Sequence, residues 1–323
     1  MTFVRSIVTG VLLSLCSALA CAQKFPAGPV TIVVPFPAGG GVDNLARQLA
    51  KKLAERWGQQ VLIDNKAGAS GFIAAQHVAR AAPDGQTLLF TAEPIVSINP
   101  LVFKKLPYSV DDFAPISALV SLPQALFVSS SNANIQTVPD LLAYARKNPG
   151  RLNYGSFGPA SSPQLAMELF KSLAKVDIQH VPYKGGSPAM VDLGAGTIDM
   201  VITGAATAKP MLDAGKVRMI AISGKSRSPN HPNVPTFAEV GLPDMEATAY
   251  LGILAPVKTP QPVMQELTQS VRAVMADRSF VETHVIPQNQ VPLNSTGEEY
   301  ARLIKSVSDL WAPVVKQAGI TAD

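Results

Sequence analysis

The segment IVVPFPAGGGVDNLARQLA occupies residues 32–50 and joins a run of apolar β-branched residues to a stretch with helical spacing. Two prolines and three consecutive glycines separate these two parts. Glycine permits positive φ angles and close approach to the backbone, and the N–H groups at a helix N-terminus attract anions. The segment therefore predicts a strand, an anion-binding loop at residues 36–43 and a helix over residues 44–57 that Asp43 caps. A plain strand-to-helix turn is the alternative.

A second loop of small residues, SFGPASSP, occupies residues 156–163 between another predicted strand and helix. Ser162 is predicted as the N-cap of that helix, with Pro163 at its first position. Taken alone, this loop too is explained by a simple capped helix. The inference of an anion-binding site therefore depends on the presence of both loops. Neither loop contains Lys or Arg. Backbone dipoles and hydroxyl groups alone suit a carboxylate better than a phosphate with two or three charges.

Short apolar segments alternate with helical segments along most of the chain. This βαβα order predicts an α/β fold with parallel sheets. Capping boxes are predicted at Thr137 and Thr296, because an acidic residue lies three positions after each of them, Asp140 and Glu299 respectively.

The alternating pattern begins twice, which predicts two α/β domains. Strands at residues 116–128 and 250–255 are expected to cross between them. The helices that close the chain have no strands of their own and are expected to return to the first domain. Domain I is therefore predicted to comprise residues 23–123 and 246–323, and domain II residues 124–245. A ligand cleft between the two domains follows from this arrangement.

The first 22 residues have the pattern of a signal peptide. Arg5 precedes an apolar run at residues 7–19, and the sequence Ala-Cys-Ala at residues 20–22 predicts cleavage before Gln23. Lipidation of Cys21 is the alternative. Cleavage would leave a chain without cysteine and hence without disulfides or thiol chemistry. The mature protein is therefore expected in the periplasm.

Composition and motif spacing exclude several classes of function. The net charge is +4 and the basic residues are scattered, which argues against a nucleic-acid partner. The four histidines are dispersed and match neither a metal-site spacing nor a catalytic triad. We therefore predict no metal, no cofactor and no catalytic residue. The protein is expected to be a monomer.

The sequence resembles Bug-type proteins, the periplasmic receptors of tripartite tricarboxylate transporters, over essentially the whole chain after the signal peptide. Six segments in order carry this resemblance: VPFPAGGGVDNLARQLA (34–50), IDNKAGASG (63–71), PDGQTLLF (83–90), NYGSFGPASSPQLAMELF (153–170), VPYKGGSPAMVDLGAGTIDM (181–200) and NVPTFAEVGLPD (233–244). Two positions depart from the family pattern. Pro163 stands where histidine is common, and Ala38 stands where proline is common, which affects the contacts expected beyond the carboxylate.

The resemblance implies a two-domain receptor of the Venus-flytrap type, which binds a small carboxylate and delivers it to a membrane permease. The carboxylate loops of the family correspond to residues 36–41 and 156–162 here. With positions near the family's cleft included, the predicted ligand-binding residues are Phe36, Pro37, Ala38, Gly39, Gly40, Gly41, Asp43, Ser70, Thr91, Ser156, Gly158, Ala160, Ser161, Ser162, Tyr183 and Thr203.

The function favoured by the sequence is therefore capture of an organic acid, an aromatic acid or an amino acid by a non-enzymatic receptor. A sensory protein that reports ligand occupancy to a membrane kinase is one alternative, and an exported enzyme is another. Ligand-dependent uptake would separate transport from sensing, whereas turnover of the bound compound would establish an enzyme.

Overall fold

The computed structural model describes residues 25–158 and 160–321. The predicted signal peptide, including Cys21, lies outside the described residues, as does Pro159 of the second loop. Within the described part of the chain, no helix combines the length and the apolar character needed to cross a membrane.

Three parallel strands form the first sheet region, and two helices connect them. They are β1 (Val30–Val34), β2 (Val61–Asn65) and β3 (Thr87–Ala92), and their spatial order is β2-β1-β3. Helix α1 (Gly41–Trp57) joins β1 to β2, and α2 (Phe72–Ala79) joins β2 to β3. This part has the βαβαβ order and the parallel pairing that the sequence predicts.

Two long strands continue this sheet, and one of them has the opposite polarity. Strand β9 (Thr248–Pro256) lies between β3 and β4 (Phe113–Ser129) and runs antiparallel to both. The parallel pairing predicted from the βαβα order does not extend to β9, because β9 returns from the far end of the chain. Strand β4 pairs with β9 as far as Pro123 and with the second sheet region from Gln124 onward.

Four shorter strands complete the second sheet region. They are β5 (Asn153–Ser156), β6 (Gln179–Pro182), β7 (Met200–Gly204) and β8 (Val217–Ile222). Strand β7 pairs antiparallel with β4 and parallel with β5, and β6 lies parallel to β5 at the outer edge. Strand β8 also pairs antiparallel with β4. The helices around them are α4 (Val138–Lys147), α5 (Ser162–Ala174), α6 (Gly186–Ala195) and α7 (Ala205–Asp213).

Short helical segments and the C-terminal helices surround both sheet regions. A π-helix (Pro94–Ile98) and α3 (Asn99–Val102) follow β3 directly. The remaining elements are α8 (Gln261–Ala276), α9 (Arg278–His284), β10 (Val291–Pro292) and α10 (Gly297–Ala318), with single turns of 3-10 helix at Ala69–Gly71, Val110–Asp112 and Ile286–Gln288. The predicted capping boxes at Thr137 and Thr296 are confirmed at the starts of α4 and α10.

Helix α10 contributes to the cores of both sheet regions. Near its start, Tyr300 and Ile304 are buried against residues of the first region such as Leu254. Further along, Trp311 and Val315 belong to the core of the second region. The last helix thus ties the two regions together, and the residue limits of the two domains remain a prediction.

Candidate functional site

A cavity of about 340 Å³ lies between the two sheet regions. Its walls come from the ends of strands and the starts of helices in both regions. The first region supplies Pro35, Phe36, Ser70, Gly71, Ala92, Pro94, Ile95, Asn99 and Phe103, and the second supplies Phe157, Ala160, Ser161, Ser162 and Pro163.

The loop between β5 and α5 is held by hydrogen bonds of its own. Ser161 Oγ donates to the carbonyl of Gly158 at 2.7 Å and accepts from the N–H of Phe157 at 3.2 Å. Ala160 has a positive φ of 59°, and its N–H donates to Gln164 Oε1 at 2.7 Å. These contacts preorganise the loop before any ligand arrives, because they fix its turn and the start of α5.

The N-cap of α5 is Ser161, so the prediction of Ser162 as the cap is wrong by one residue. Ser161 keeps extended backbone angles (φ −71°, ψ 151°), and Ser162 is already the first helical residue. Pro163 therefore stands at the second helical position. The side chain of Ser162 makes no hydrogen bond to any described residue and borders the cavity. It lies at the positive end of the α5 dipole, and its contact with a ligand remains a prediction.

The loop between β1 and α1 is organised around a buried carboxylate. Helix α1 begins at Gly41 after Gly40 as N-cap, so Asp43 is the third helical residue and the prediction of Asp43 as N-cap is wrong. Its carboxylate accepts hydrogen bonds from Arg47 Nε, the N–H of Gly39 and Asn65 Nδ2, each at 2.8 Å. These bonds, that of Arg47 above all, lower the pKa of Asp43 to about 2. Asp43 thus anchors the loop from within.

The three consecutive glycines do not all have the same conformation. Gly39 has a positive φ of 87°, whereas Gly40 has an ordinary extended backbone with φ −77° and ψ 169°. All three glycines are exposed, and residues 37–41 are not part of the cavity wall. The loop reaches the cavity through Phe36. Ligand contacts of Pro37, Ala38 and the glycines remain predictions.

A second helix start borders the cavity at Ser70. Ser70 and Gly71 have positive φ angles of 53° and 85°, and they lead into α2. The amide of Asn99 donates to the carbonyl of Ser70 at 3.0 Å and contacts Tyr108 Oη at 3.3 Å. Ser70 was expected from the sequence, but Asn99 and the neighbouring Phe103 were not. No local pattern marks the segment after β3 as part of a site.

Several other predicted site residues do not line the cavity. Thr91 donates to the carbonyl of Ala92 at 3.2 Å, and Tyr183 donates to Asp192 at 2.7 Å. Thr203 is buried within β7, and neither Ser156 nor Gly158 is a lining residue. Direct ligand contact by these residues remains a prediction.

Ser156 and His180 form a pair that resembles part of a hydrolase site, with Ser156 Oγ 2.7 Å from His180 Nε2. Ser156 is fully buried, and its hydroxyl also contacts the N–H and carbonyl of Gly158. The ring of His180 stacks on Tyr154, with the centroids 4.8 Å apart, and burial lowers the pKa of His180. The pair therefore fixes the start of the β5–α5 loop.

The electrostatics of the cavity arise from backbone and hydroxyl dipoles. None of the described lining residues is ionisable. Glu93 lies between the lining residues Ala92 and Pro94, but its side chain is buried and accepts a hydrogen bond from Trp311 Nε1 at 2.6 Å. Burial raises the pKa of Glu93 to about 7. Among the described residues, no group of three or more His, Cys, Asp or Glu residues could hold a metal ion.

The fold and the cavity define a two-domain α/β binding protein of the Venus-flytrap type, with a ligand cleft between the domains. The sequence model of one protein family, the tripartite tricarboxylate transporter family receptor, matches residues 45–320 of this chain. The chain belongs to this receptor family, and the resemblance to Bug-type proteins noted in the sequence is confirmed.

Three solved structures show how far the similarity extends. Rpa4515 of R. palustris with adipate is 35% identical, with a TM-score of 0.81 over 92% of this chain and 99% of its own. Periplasmic binding protein BugD is 31% identical, with a TM-score of 0.75 over 93% of this chain and 100% of its own. MatC of Rhodopseudomonas palustris with bound malate is 32% identical, with a TM-score of 0.75 over 90% of this chain and 100% of its own.

Proposed function

We propose that this chain is a periplasmic receptor that captures a small carboxylate and delivers it to the membrane permease of a tripartite tricarboxylate transporter. The observation that carries the proposal is the cavity bordered by two helix starts, one from each sheet region, with no ionisable side chain among the described residues that line it. Helix N-termini carry roughly half a positive charge each. Such a site suits an anion of low charge.

The chemistry of the lining favours a carboxylate among such anions. Ser161 and Ser162 lie at the start of α5, and Ser70 and Gly71 lie at the start of α2. Hydroxyl and N–H donors from both sides would share the two oxygens of one carboxylate group. The adipate and malate in the structures of Rpa4515 and MatC support this choice, because both compounds are carboxylates.

Closure around the ligand is part of the proposal. The ligand would bridge domain I (residues 23–123 and 246–323) and domain II (residues 124–245), and the closed form would be presented to the permease. Export through the signal peptide at residues 1–22 would place the receptor in the periplasm. The family's receptor role supports delivery to a transporter as the purpose of capture.

Binding without turnover is also proposed. The family is one of solute receptors. Ser156 is fully buried, and neither Ser156 nor His180 lines the cavity. A nucleophile needs access to the reacting atom of its substrate. We therefore assign this pair to the support of the loop.

The proposal is tested by calorimetric titration of the mature protein with a panel of carboxylic acids and their primary amides. The acids should bind and the amides should not, because an amide carries no negative charge for the helix dipoles to stabilise. A deletion strain should then lose uptake of the acid that binds, and the gene in trans should restore it. Equal affinity for an acid and its amide would contradict the carboxylate site, and unchanged uptake would contradict the transport role.

A further inference from the structure

The polar groups of the cavity are few and are mostly occupied by other parts of the protein. Its polar lining side chains are Ser70, Asn99, Ser161 and Ser162. Asn99 Nδ2 donates to the carbonyl of Ser70 and to Tyr108 Oη, and the hydroxyl group of Ser161 is engaged by its own loop. Free hydroxyl groups and the two helix starts remain for a ligand. These donors are enough for one carboxylate.

Apolar groups make up most of the remaining wall. Phe36 comes from the β1–α1 loop, Phe103 follows α3, and Phe157 comes from the β5–α5 loop. Phe103 is half-buried and packs edge-on against Phe72, with the ring centroids 4.7 Å apart. The other apolar lining residues are Ile95, two alanines (Ala92 and Ala160) and three prolines.

A second carboxylate on the same ligand would lose its hydration in this cavity without gaining a cation. Burial of an unpaired charge is strongly unfavourable. The lining residues that the structure describes include no Lys, Arg or His, and the nearby Glu93 carboxyl group would add repulsion when ionised. An apolar ligand body, by contrast, would gain from contact with the phenylalanine rings.

We infer that the physiological ligand is a monocarboxylic acid whose apolar body packs against Phe36, Phe103 and Phe157. This inference rests on the proposed function, because it assumes that the cavity binds a carboxylate. It selects one ligand class within that function and excludes small dicarboxylates as the preferred class.

The test compares acids of equal length that differ in one end group. Hexanoate and adipate share a six-carbon chain, and benzoate and terephthalate share a benzene ring. Titration calorimetry at pH 8 should give a Kd for each monocarboxylate at least about tenfold below that of its dicarboxylate partner. Monomethyl adipate, which has the length of adipate but one charge, should bind like hexanoate.

The possible outcomes separate this inference from the proposed function. Adipate binding as tightly as hexanoate, or more tightly, would overturn the monocarboxylate preference and leave the carboxylate receptor intact. Hexanamide binding as tightly as hexanoate would instead overturn the carboxylate site itself, and the present inference with it.

A variant pair tests the apolar wall directly. Phe103→Lys places a cation in the wall and should shift the ratio of hexanoate to adipate affinity toward adipate by about tenfold or more. Phe103→Leu keeps an apolar side chain there and should preserve the wild-type ratio. An unchanged ratio in a Phe103→Lys protein with a wild-type circular dichroism spectrum would contradict the placement of the ligand body. The wild-type comparison stands whether or not this variant folds.

Discussion

At the scale of single residues, the two adjacent serines at the start of α5 have separate roles. Ser161 accepts from the N–H of Phe157 and donates to the carbonyl of Gly158, whereas Ser162 has no hydrogen-bond partner among the described residues. Ser161→Ala should therefore lower the free energy of unfolding by about 1–2 kcal/mol. Ser162→Ala should change it by less than about 0.5 kcal/mol and should weaken ligand binding. Urea denaturation measures the stability of both variants, and calorimetry measures their ligand affinity. Equal losses of stability would contradict the separate roles of the two serines.

Two neighbouring glycines provide a second matched pair. Gly39 has a φ of 87° and open space around the position of a Cβ, so Gly39→Ala should cost about 1–2 kcal/mol from backbone strain alone. Gly40 has a φ of −77° and only Pro37 O near, at 3.9 Å, so Gly40→Ala adds no backbone strain. It should cost only the loss expected for Ala in place of Gly at an N-cap, which is less than the cost of Gly39→Ala. Thermal unfolding of the two variants measures the difference. Equal melting temperatures would show that the Gly39 conformation is not required.

The buried carboxyl group of Glu93 should make the free energy of unfolding depend on pH. Burial raises its pKa from 4.5 to about 7 in the folded protein, so the folded state holds the proton more tightly than the unfolded chain does. This contribution to stability is complete below pH 4.5 and is lost as the pH rises through about 7. The loss amounts to ~3 kcal/mol.

Glu93→Gln keeps an acceptor for Trp311 Nε1 and stays neutral, so it should remove that decline and stabilise the protein at pH 8. The free energy of unfolding, measured in urea from pH 4.5 to 8, provides the check. Glu246→Gln, at an exposed position, is the control and should leave the pH profile unchanged. A Glu93→Gln protein with the wild-type profile would mean that another group titrates.

At the scale of secondary-structure elements, the contact between α10 and β9 depends on one glycine. A Cβ at Gly252 would overlap the ring of Tyr300, which is fully buried and packs edge-on against Tyr250. Gly252→Ala should destabilise the protein by about 1–3 kcal/mol through overpacking. Gly204→Ala is the matched control, because its Cβ would meet only Gln124, at 3.8 Å.

Tyr300→Phe should act in the opposite direction. The hydroxyl group of Tyr300 is buried and has no hydrogen-bond partner among the described residues, so its removal relieves an unsatisfied polar group. A denaturant midpoint that rises in Tyr300→Phe and falls in Gly252→Ala would support this packing. A lowered midpoint in Tyr300→Phe would mean that the hydroxyl group has a partner.

Elements that carry a local sequence signal could be predicted. Pairings between strands that are distant in the sequence could not. The capping boxes at Thr137 and Thr296 are complete within four residues, so the sequence displays them. The start of α1 was predicted three residues late because glycine disfavours helices, whereas the bond from Gly39 to Asp43 stabilises the earlier start. The antiparallel pairing of β9 has no local signal at all. Asn99 and Phe103 were missed for the same reason, since only the fold brings them to the cavity.

At the scale of the whole molecule, the proposal predicts that one carboxylate closes the two domains. Two positive helix ends should not attract each other across an empty cleft, whereas an anion between them interacts with both and favours the closed state. Acids should therefore raise the melting temperature and reduce the radius of gyration together. At 100 times Kd the stabilisation should be about 2.7 kcal/mol. Small-angle scattering and thermal shift test this, and closure without a change in melting temperature would contradict it.

The position of β9 has a consequence for the order in which the protein is made. β9 separates β3 from β4 and pairs Leu89 with Leu254, so the first sheet lacks a central strand until more than three quarters of the polypeptide has left the ribosome. Pairings this distant in sequence form slowly. The first sheet is therefore completed late in synthesis. For a protein whose export through a signal peptide is proposed, that delay would help to keep the chain competent for translocation.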